Sequence, residues 1–239
     1  MLSIAIATMR RWDFLKDSLP GYLARQEVKE VILCDETGED CAAAAAAFGK
    51  HPKLRLITNE KRLGIYQNKR KAMSLAKGEW VAVLDSDNFF PDEWFETIGE
   101  LLPRTPFTQI LASAEFKTSN LDTGTVTVPC YDFSGLVVDT NTWNRMFERP
   151  RWNFLLNDGN WVVHFTQLKH LPKEVPSEAL QAADAIWMLR QWILGGCSIW
   201  YVPELSYIHT VHSGSSWLAT EKESTRILNT IEWRIPSAP

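Results

Sequence analysis

The most constraining feature of this chain is the regular exchange of two hydrophobic periods across its first hundred residues. Leu2 to Ala7 is an apolar run of strand length, and Trp12 to Leu23 sets Trp12, Leu15, Leu19, Tyr22 and Leu23 at helical spacing. Val31 to Cys34 reads as a second strand, and Glu39 to Phe48, alanine-rich with an acidic start, as a helix. Leu54 to Thr58 is a third strand, followed by a helix from Ile65 to Ala76 that Gly78 ends. Trp80 to Leu84 is a fourth strand, and Pro91 to Leu102 a helix with Pro, Asp and Glu in its first turn. That order predicts an α/β fold, a mostly parallel sheet with helices on both faces. In such sheets ligands bind beyond the carboxyl ends of the strands. The loops Thr8 to Arg11, Asp35 to Asp40 and Asp85 to Asn88 should therefore meet at one rim.

The second half is less regular. Gln109 to Phe116 and Thr125 to Val128 read as strands around an Asp122-Thr123-Gly124 turn, with another strand at Ser134 to Val138. Ala179 to Leu194 reads as a helix closed by Gly195 and Gly196, and Ser198 to Val202 as a short strand. Beyond Val211 the expectation is loop, then a helix from Thr220 to Ile231. At 239 residues the chain fits one domain.

Composition narrows the function classes. Hydrophobic residues make up 45% and charged residues 23%, an ordinary globular balance. A net charge of -4 gives no support for a non-specific nucleic-acid binder, although Lys69, Arg70 and Lys71 form a local basic cluster. The four cysteines, Cys34, Cys41, Cys130 and Cys197, contain no CxxC pair, so neither a disulfide framework nor a zinc site is expected. The apolar run at Met1 to Thr8 is too short for a signal peptide, and Ile186 to Leu205 is broken by Arg190, Gln191 and two glycines. A soluble, cytoplasmic protein is the expectation. Eleven tryptophans should mostly be core, with some free to line a sugar pocket.

Chemistry concentrates at Val81-Ala82-Val83-Leu84-Asp85-Ser86-Asp87-Asn88. Residues i and i+2 of an extended chain face one side, so Asp85 and Asp87 can offer oxygens to one point at the rim. A hard divalent cation takes such ligands and keeps water or phosphate in its other positions. The bland alternative is that Asp87 or Asn88 caps the helix starting near Pro91.

The stretch from Asn59-Glu60-Lys61-Arg62-Leu63-Gly64 to Ala76-Lys77-Gly78-Glu79-Trp80 and on to Asp85-Ser86-Asp87 resembles the heart of glycosyltransferase family 2, whose members have the GT-A fold. The strand leading to Thr8 resembles the family's Pro-Thr-Tyr-Asn segment, with Ala7 in place of Pro and Arg10 in place of Asn. Val31 to Asp40 resembles its strand ending in two carboxylates and a turn, here Asp35, Glu36, Thr37 and Gly38. The resemblance covers roughly residues 2 to 100 well and 180 to 217 in part.

The resemblance implies that 1–239 is a single GT-A domain. Residues 1–103 would be the nucleotide-sugar-binding half, and 104–239 the acceptor-side half with a C-terminal loop and helix. Asp35 or Glu36 should accept a hydrogen bond from the base, which suits a uracil N–H and hence a UDP-linked donor, and Thr8 should touch the base through its backbone. For Asp35 the competing expectation is a turn residue bonded to its own backbone. Lys69 and Arg70 lie where the family has Ala-Arg-Asn, here Gln67-Asn68-Lys69-Arg70; a cation there faces either the diphosphate or an exposed helix face, and Asn68 and Lys69 are the donor-site candidates. Asp85, with Ser86 beside it, should touch the ribose or a metal-bound water, and Asp87 should bind the metal, Mn2+ or Mg2+. Asp184 matches the family's general base, needed because an acceptor hydroxyl is a poor nucleophile until it loses its proton. Its alternative is charge complementarity in a first helical turn. In Tyr207 to Trp217, His212 fits the family's His-x-x-Ser pattern as a second metal ligand, with His209 as the alternative.

Asn157-Asp158-Gly159-Asn160-Trp161 has the composition of a tight turn, with Trp161 a candidate for sugar stacking. The reading is a metal-dependent transfer of a sugar from a nucleoside diphosphate to an acceptor hydroxyl with inversion. The acceptor class stays open among glycan, lipid-linked glycan, protein and modified nucleic acid. A nucleotidyltransferase would need a phosphate-cradling glycine-rich segment after the first strand, and Ala7-Thr8-Met9-Arg10 is not one. A non-catalytic sugar-nucleotide or carbohydrate-binding protein is the other alternative; loss of Asp184 or of both Asp85 and Asp87 would favour it, and all three are present.

Overall fold

A computed structural model describes residues 1–127, 133–149, 152–175, 183–215, 222, 225–230 and 232–236. Expectations for Val128, Cys130, 179–182, Ser216 and Trp217 lie outside these residues, as does part of the expected C-terminal helix, of which 225–230 is helical.

The first half follows its hydrophobic periods: β1 (Leu2–Thr8), α1 (Trp12–Ala24), β2 (Val28–Asp35), α2 (Glu39–Phe48), β3 (Leu54–Thr58), α3 (Ile65–Ser74), β4 (Trp80–Asp85) and α4 (Asp92–Leu101). The later elements are β5 (Gln109–Asn120), β6 (Thr125–Thr127), β7 (Val137–Val138), α5 (Trp143–Met146), α6 (Trp152–Leu156), β8 (Trp161–His164), α7 (Asp184–Leu194) and β9 (Ser198–Val211). The nine described strands form one sheet in the order β3-β2-β1-β4-β8-β5-β9-β7, with β6 paired to β5. β1 runs parallel to both β2 and β4, β2 to β3, and β5 to β9. β8 is antiparallel to both β4 and β5, so those two share a direction. The sheet is thus mostly parallel, with β6, β7 and β8 reversed.

Strand alternation makes two cores. Ile4, Ile6, Ala82 and Leu84 pack with Leu15, Leu19 and Tyr22 of α1 and Trp94, Phe95 and Ile98 of α4. Ala5, Val81 and Val83 face the other way, toward Tyr66, Ala72 and Met73 of α3 and Ile186 and Leu189 of α7. Each fully buried side chain of this kind contributes about 1.5–3 kcal/mol relative to exposure.

Three expectations need correcting. β9 does not stop at Val202 but continues through Pro203 to Val211, because a register shift against β5, between Ser113 and Glu115, absorbs Pro203 to Leu205. His209 therefore lies in a strand opposite Thr118, not in a loop. Trp161 is 2% exposed and meets Trp192 edge to face at 5.3 Å, so it is core and no sugar platform.

Candidate active site

Parallel registry sets the first loops side by side. Thr8 pairs with Asp35, and Ala7 with Asp85, so β1, β2 and β4 end together. Thr8 is buried; its hydroxyl donates to Asp40, and its carbonyl accepts the Glu36 N–H at 3.0 Å. Asp40 also accepts the Arg11 N–H at 2.9 Å, which fixes the loop after β1.

The adjacent carboxylates Asp35 and Glu36 have different fates. Asp35 is fully buried, and its oxygens accept the N–H groups of Thr37 at 2.9 Å and Cys41 at 3.0 Å. Glu36 is half-buried at the rim and accepts the Leu63 N–H at 2.7 Å. Gly38 makes the intervening turn at φ 82, where an added Cβ would sit 2.9 Å from Thr58. Asn68 is turned inward: its amide donates to the Cys34 carbonyl at 2.9 Å and accepts from Asn59 at 2.8 Å, tying α3 to β2.

Asp85, Ser86 and Asp87 are each partly exposed beyond β4. Asp87 does not cap α4, whose N-terminal residue Pro91 has no side-chain cap. Its Oδ2 lies 3.2 Å from His212 Nε2 and 3.7 Å from Arg11 Nε. The Arg11 guanidinium also donates to the Gly214 carbonyl at 2.6 Å, joining the first and last rim loops. Phe89 and Ile208 exchange backbone hydrogen bonds, and Asn88 Oδ1 accepts the Thr210 N–H at 3.1 Å. These contacts hold the end of β9 against the β4 loop and bring His212 to Asp87. The His212 ring packs on Phe14 at 4.7 Å.

His209 points among Phe116 and Tyr207, and its Nδ1 has no hydrogen-bond partner among the described residues. Burial pushes its pKa down, against the upward pull of Asp87 and Asp85. Among the described residues no group of three or more His, Cys, Asp or Glu side chains converges as a metal site.

Asp184 opens α7, where no side chain caps the helix. Lys69 lies beneath the rim with its Nζ 2.7 Å from Asp85 Oδ1 and 2.9 Å from Asp184 Oδ2. Burial works against the ammonium, but the two carboxylates prevail and raise its pKa.

The turn before β8 completes the site. Asp158 accepts from the backbone and side chain of Asn160, whose Oδ1 accepts the Asp85 N–H at 3.1 Å. Burial is the main cause that moves the Asp158 carboxyl up to about 6, with Asp85 adding to it. A Cβ on Gly159 would sit 2.6 Å from Lys69 Nζ and 2.9 Å from Asp85 Oδ2. Sequence reasoning placed this turn but gave Asp158 and Asn160 no role, and it took Thr8 to Arg11 as a rim loop without singling out Arg11. Turn composition was the only signal for the former.

The mostly parallel sheet thus carries Asp35, Glu36, Asp85 and Asp87 where β2 and β4 end. Residues 3–162 match the sequence profile of glycosyl transferase family 2, and the chain belongs to that family. The fold is similar to that of S. aureus TarS 1-349 in complex with UDP-GlcNAc. That likeness has a TM-score of 0.68 at 16% identity and covers 97% of this chain and 68% of that one. GalNAc-T7 with UDP, GalNAc and Mn2+ is similar at TM-score 0.65 and 13% identity, over 100% of this chain and 52% of that one. Succinoglycan biosynthesis protein ExoO of Rhizobium meliloti (strain 1021) is 28% identical over 88 residues, 36% of this chain and 25% of that protein. The uncharacterized protein MT1568 of Mycobacterium tuberculosis (strain CDC 1551 / Oshkosh) is 36% identical over 90 residues, 37% of this chain and 28% of that protein. The matched segments thus span about a quarter of these relatives' length.

Proposed function

We propose that this chain transfers a sugar from a uridine diphosphate sugar to an acceptor hydroxyl, with inversion at the anomeric carbon. The observation that carries the reading is the meeting of two clusters, Asp87 with His212 and Lys69 with Asp85 and Asp184, beyond the ends of β1, β2 and β4. The UDP-GlcNAc bound by TarS and the UDP and Mn2+ bound by GalNAc-T7 support a uridine donor and a divalent metal here.

Glu36 is the better partner for the base, since the Asp35 oxygens are taken by backbone N–H groups, and Thr8 would flank the base through its main chain. The donor set at Asp87 and His212 fits a divalent ion: one carboxylate oxygen and one imidazole nitrogen converge, and Asp87 is partly exposed, so phosphate oxygens and water could complete the shell. Asp85 would act through water and on the ribose, with Ser86 beside it, and His209 is the lesser candidate ligand because it is held inside the sheet. A bound Mn2+ or Mg2+ would neutralise the charge that develops on the departing diphosphate.

Asp184 is the proposed base. It sits at the start of α7, 10% exposed at the side chain, where it can accept the acceptor's proton as the hydroxyl attacks the anomeric carbon and the diphosphate leaves. Residues 1–103 would serve the donor and 104–239 the acceptor, within one domain. No helix among the described residues is long and apolar enough to cross a membrane, and a cytoplasmic site of action is proposed with that. The acceptor classes to test are glycans, lipid-linked glycans, proteins and modified nucleic acids.

Asp184→Asn tests the reading. It should lower sugar transfer by about a hundredfold to ten-thousandfold, the usual cost of losing a general base, while donor affinity in calorimetry stays within about threefold. Transfer at the wild-type rate would exclude Asp184 as the base.

A further inference from the structure

Lys69 is the least exposed cation at the rim, with 5% of its side chain accessible. Its two partners come from opposite halves of the site, Asp85 from the end of β4 and Asp184 from the start of α7. The Gly159 backbone passes close to both partners: an added Cβ would meet the Lys69 ammonium and an Asp85 carboxylate oxygen. An exposed ion pair contributes little, but losing one member of a buried group leaves its partners uncompensated. Without Lys69, Asp85 and Asp184 would lose the charge between them and be free to shift apart. Asp158 and Tyr207 lie next to this group and supply no positive charge.

We propose that Lys69 is a positioning residue for transfer: its ammonium holds the base Asp184 in fixed relation to Asp85, and so to the donor, without itself binding the diphosphate. This rests on the reading of Asp184 as the base. It follows that the interior face of α3 contributes to turnover more than to donor affinity. A misplacement of a reacting group by about 1 Å can cost on the order of a hundredfold in rate.

The test is a double-mutant cycle with Lys69→Met, Asp184→Asn and the double variant, each checked for folding by thermal melting. The assay is manganese-dependent UDP release, with water as acceptor, from whichever of UDP-glucose, UDP-galactose and UDP-N-acetylglucosamine the wild-type protein turns over fastest. Lys69→Met should lower kcat by about tenfold to a hundredfold and leave donor KM within about threefold. In the Asp184→Asn background the same change should cost less than about threefold more, because the group it positions is already disabled. Lys69→Arg, which keeps the charge, should recover part of the lost kcat; if Lys69→Met does not fold, Lys69→Gln, which also removes the charge, carries the same cycle with the same split expected. A raised donor KM with kcat intact would make Lys69 a phosphate-binding cation and overturn the proposal. Losses that multiply independently in the double variant, or no loss at all, would overturn it too. An Asp184→Asn protein that turns over at the wild-type rate would instead remove the base reading beneath it.

Discussion

Asp35 and Glu36 are neighbours in sequence with one carboxylate each, and the backbone gives them different surroundings. Asp35 spends its oxygens on the turn that opens α2, whereas Glu36 keeps one oxygen on Leu63 and lies at the rim. Charge-assisted hydrogen bonds are worth about 1.5–3 kcal/mol each. Asp35→Asn should therefore cost stability in denaturant titration, by about 1–3 kcal/mol, because an amide must present a donor where two N–H groups already point. Glu36→Gln should leave the melting temperature unchanged within a degree or so and weaken uridine diphosphate by about tenfold. The reverse pattern would transfer the base-reading role to Asp35. From the sequence both carboxylates were open candidates, since nothing in Asp-Glu-Thr-Gly says which one the turn will consume.

At the scale of elements, the Ala-Lys-Gly-Glu stretch that helps define the family resemblance stands at the far end of β4 from the site. Gly78 lies against β1: an added Cβ would fall 2.6 Å from Ser3 Oγ, 2.7 Å from the Ser3 nitrogen and 2.8 Å from the Met1 carbonyl oxygen. Two of these are backbone atoms of the sheet and cannot give way cheaply. Gly78→Ala should destabilise the fold by about 1–3 kcal/mol in chemical denaturation and leave turnover per folded molecule unchanged. Lost turnover at full stability would contradict a purely structural role. The elements of the first half were legible because each has its own clear period and stop signal. In the second half α5, α6 and β8 were not, and β9 was legible only in its first residues. β8 is only four residues, Trp161–His164, too short to show alternation, and it enters the sheet antiparallel between strands distant in sequence. β9 contains Pro203, a strand breaker by sequence, but a register shift against β5 lets the ladder resume from Ser206.

At the scale of the molecule, the site is built from chain segments that only the sheet brings together. The carboxylates of β2 and β4 were readable because motif and strand end coincide. The ties to Lys69, Arg11 and the Asp158-Gly159-Asn160 turn were not, because each is a tertiary approach between segments of different elements. From this convergence Asp87 and His212 are proposed to hold a divalent ion for a uridine diphosphate donor. That proposal is tested most directly by calorimetric titration of uridine diphosphate into the wild-type protein and Asp87→Ala, each with and without manganese. The account predicts that manganese tightens binding to the wild-type protein by about tenfold or more, and that Asp87→Ala folds normally and loses that dependence. An Asp87→Ala protein whose binding still tightens with manganese to the wild-type extent would contradict it.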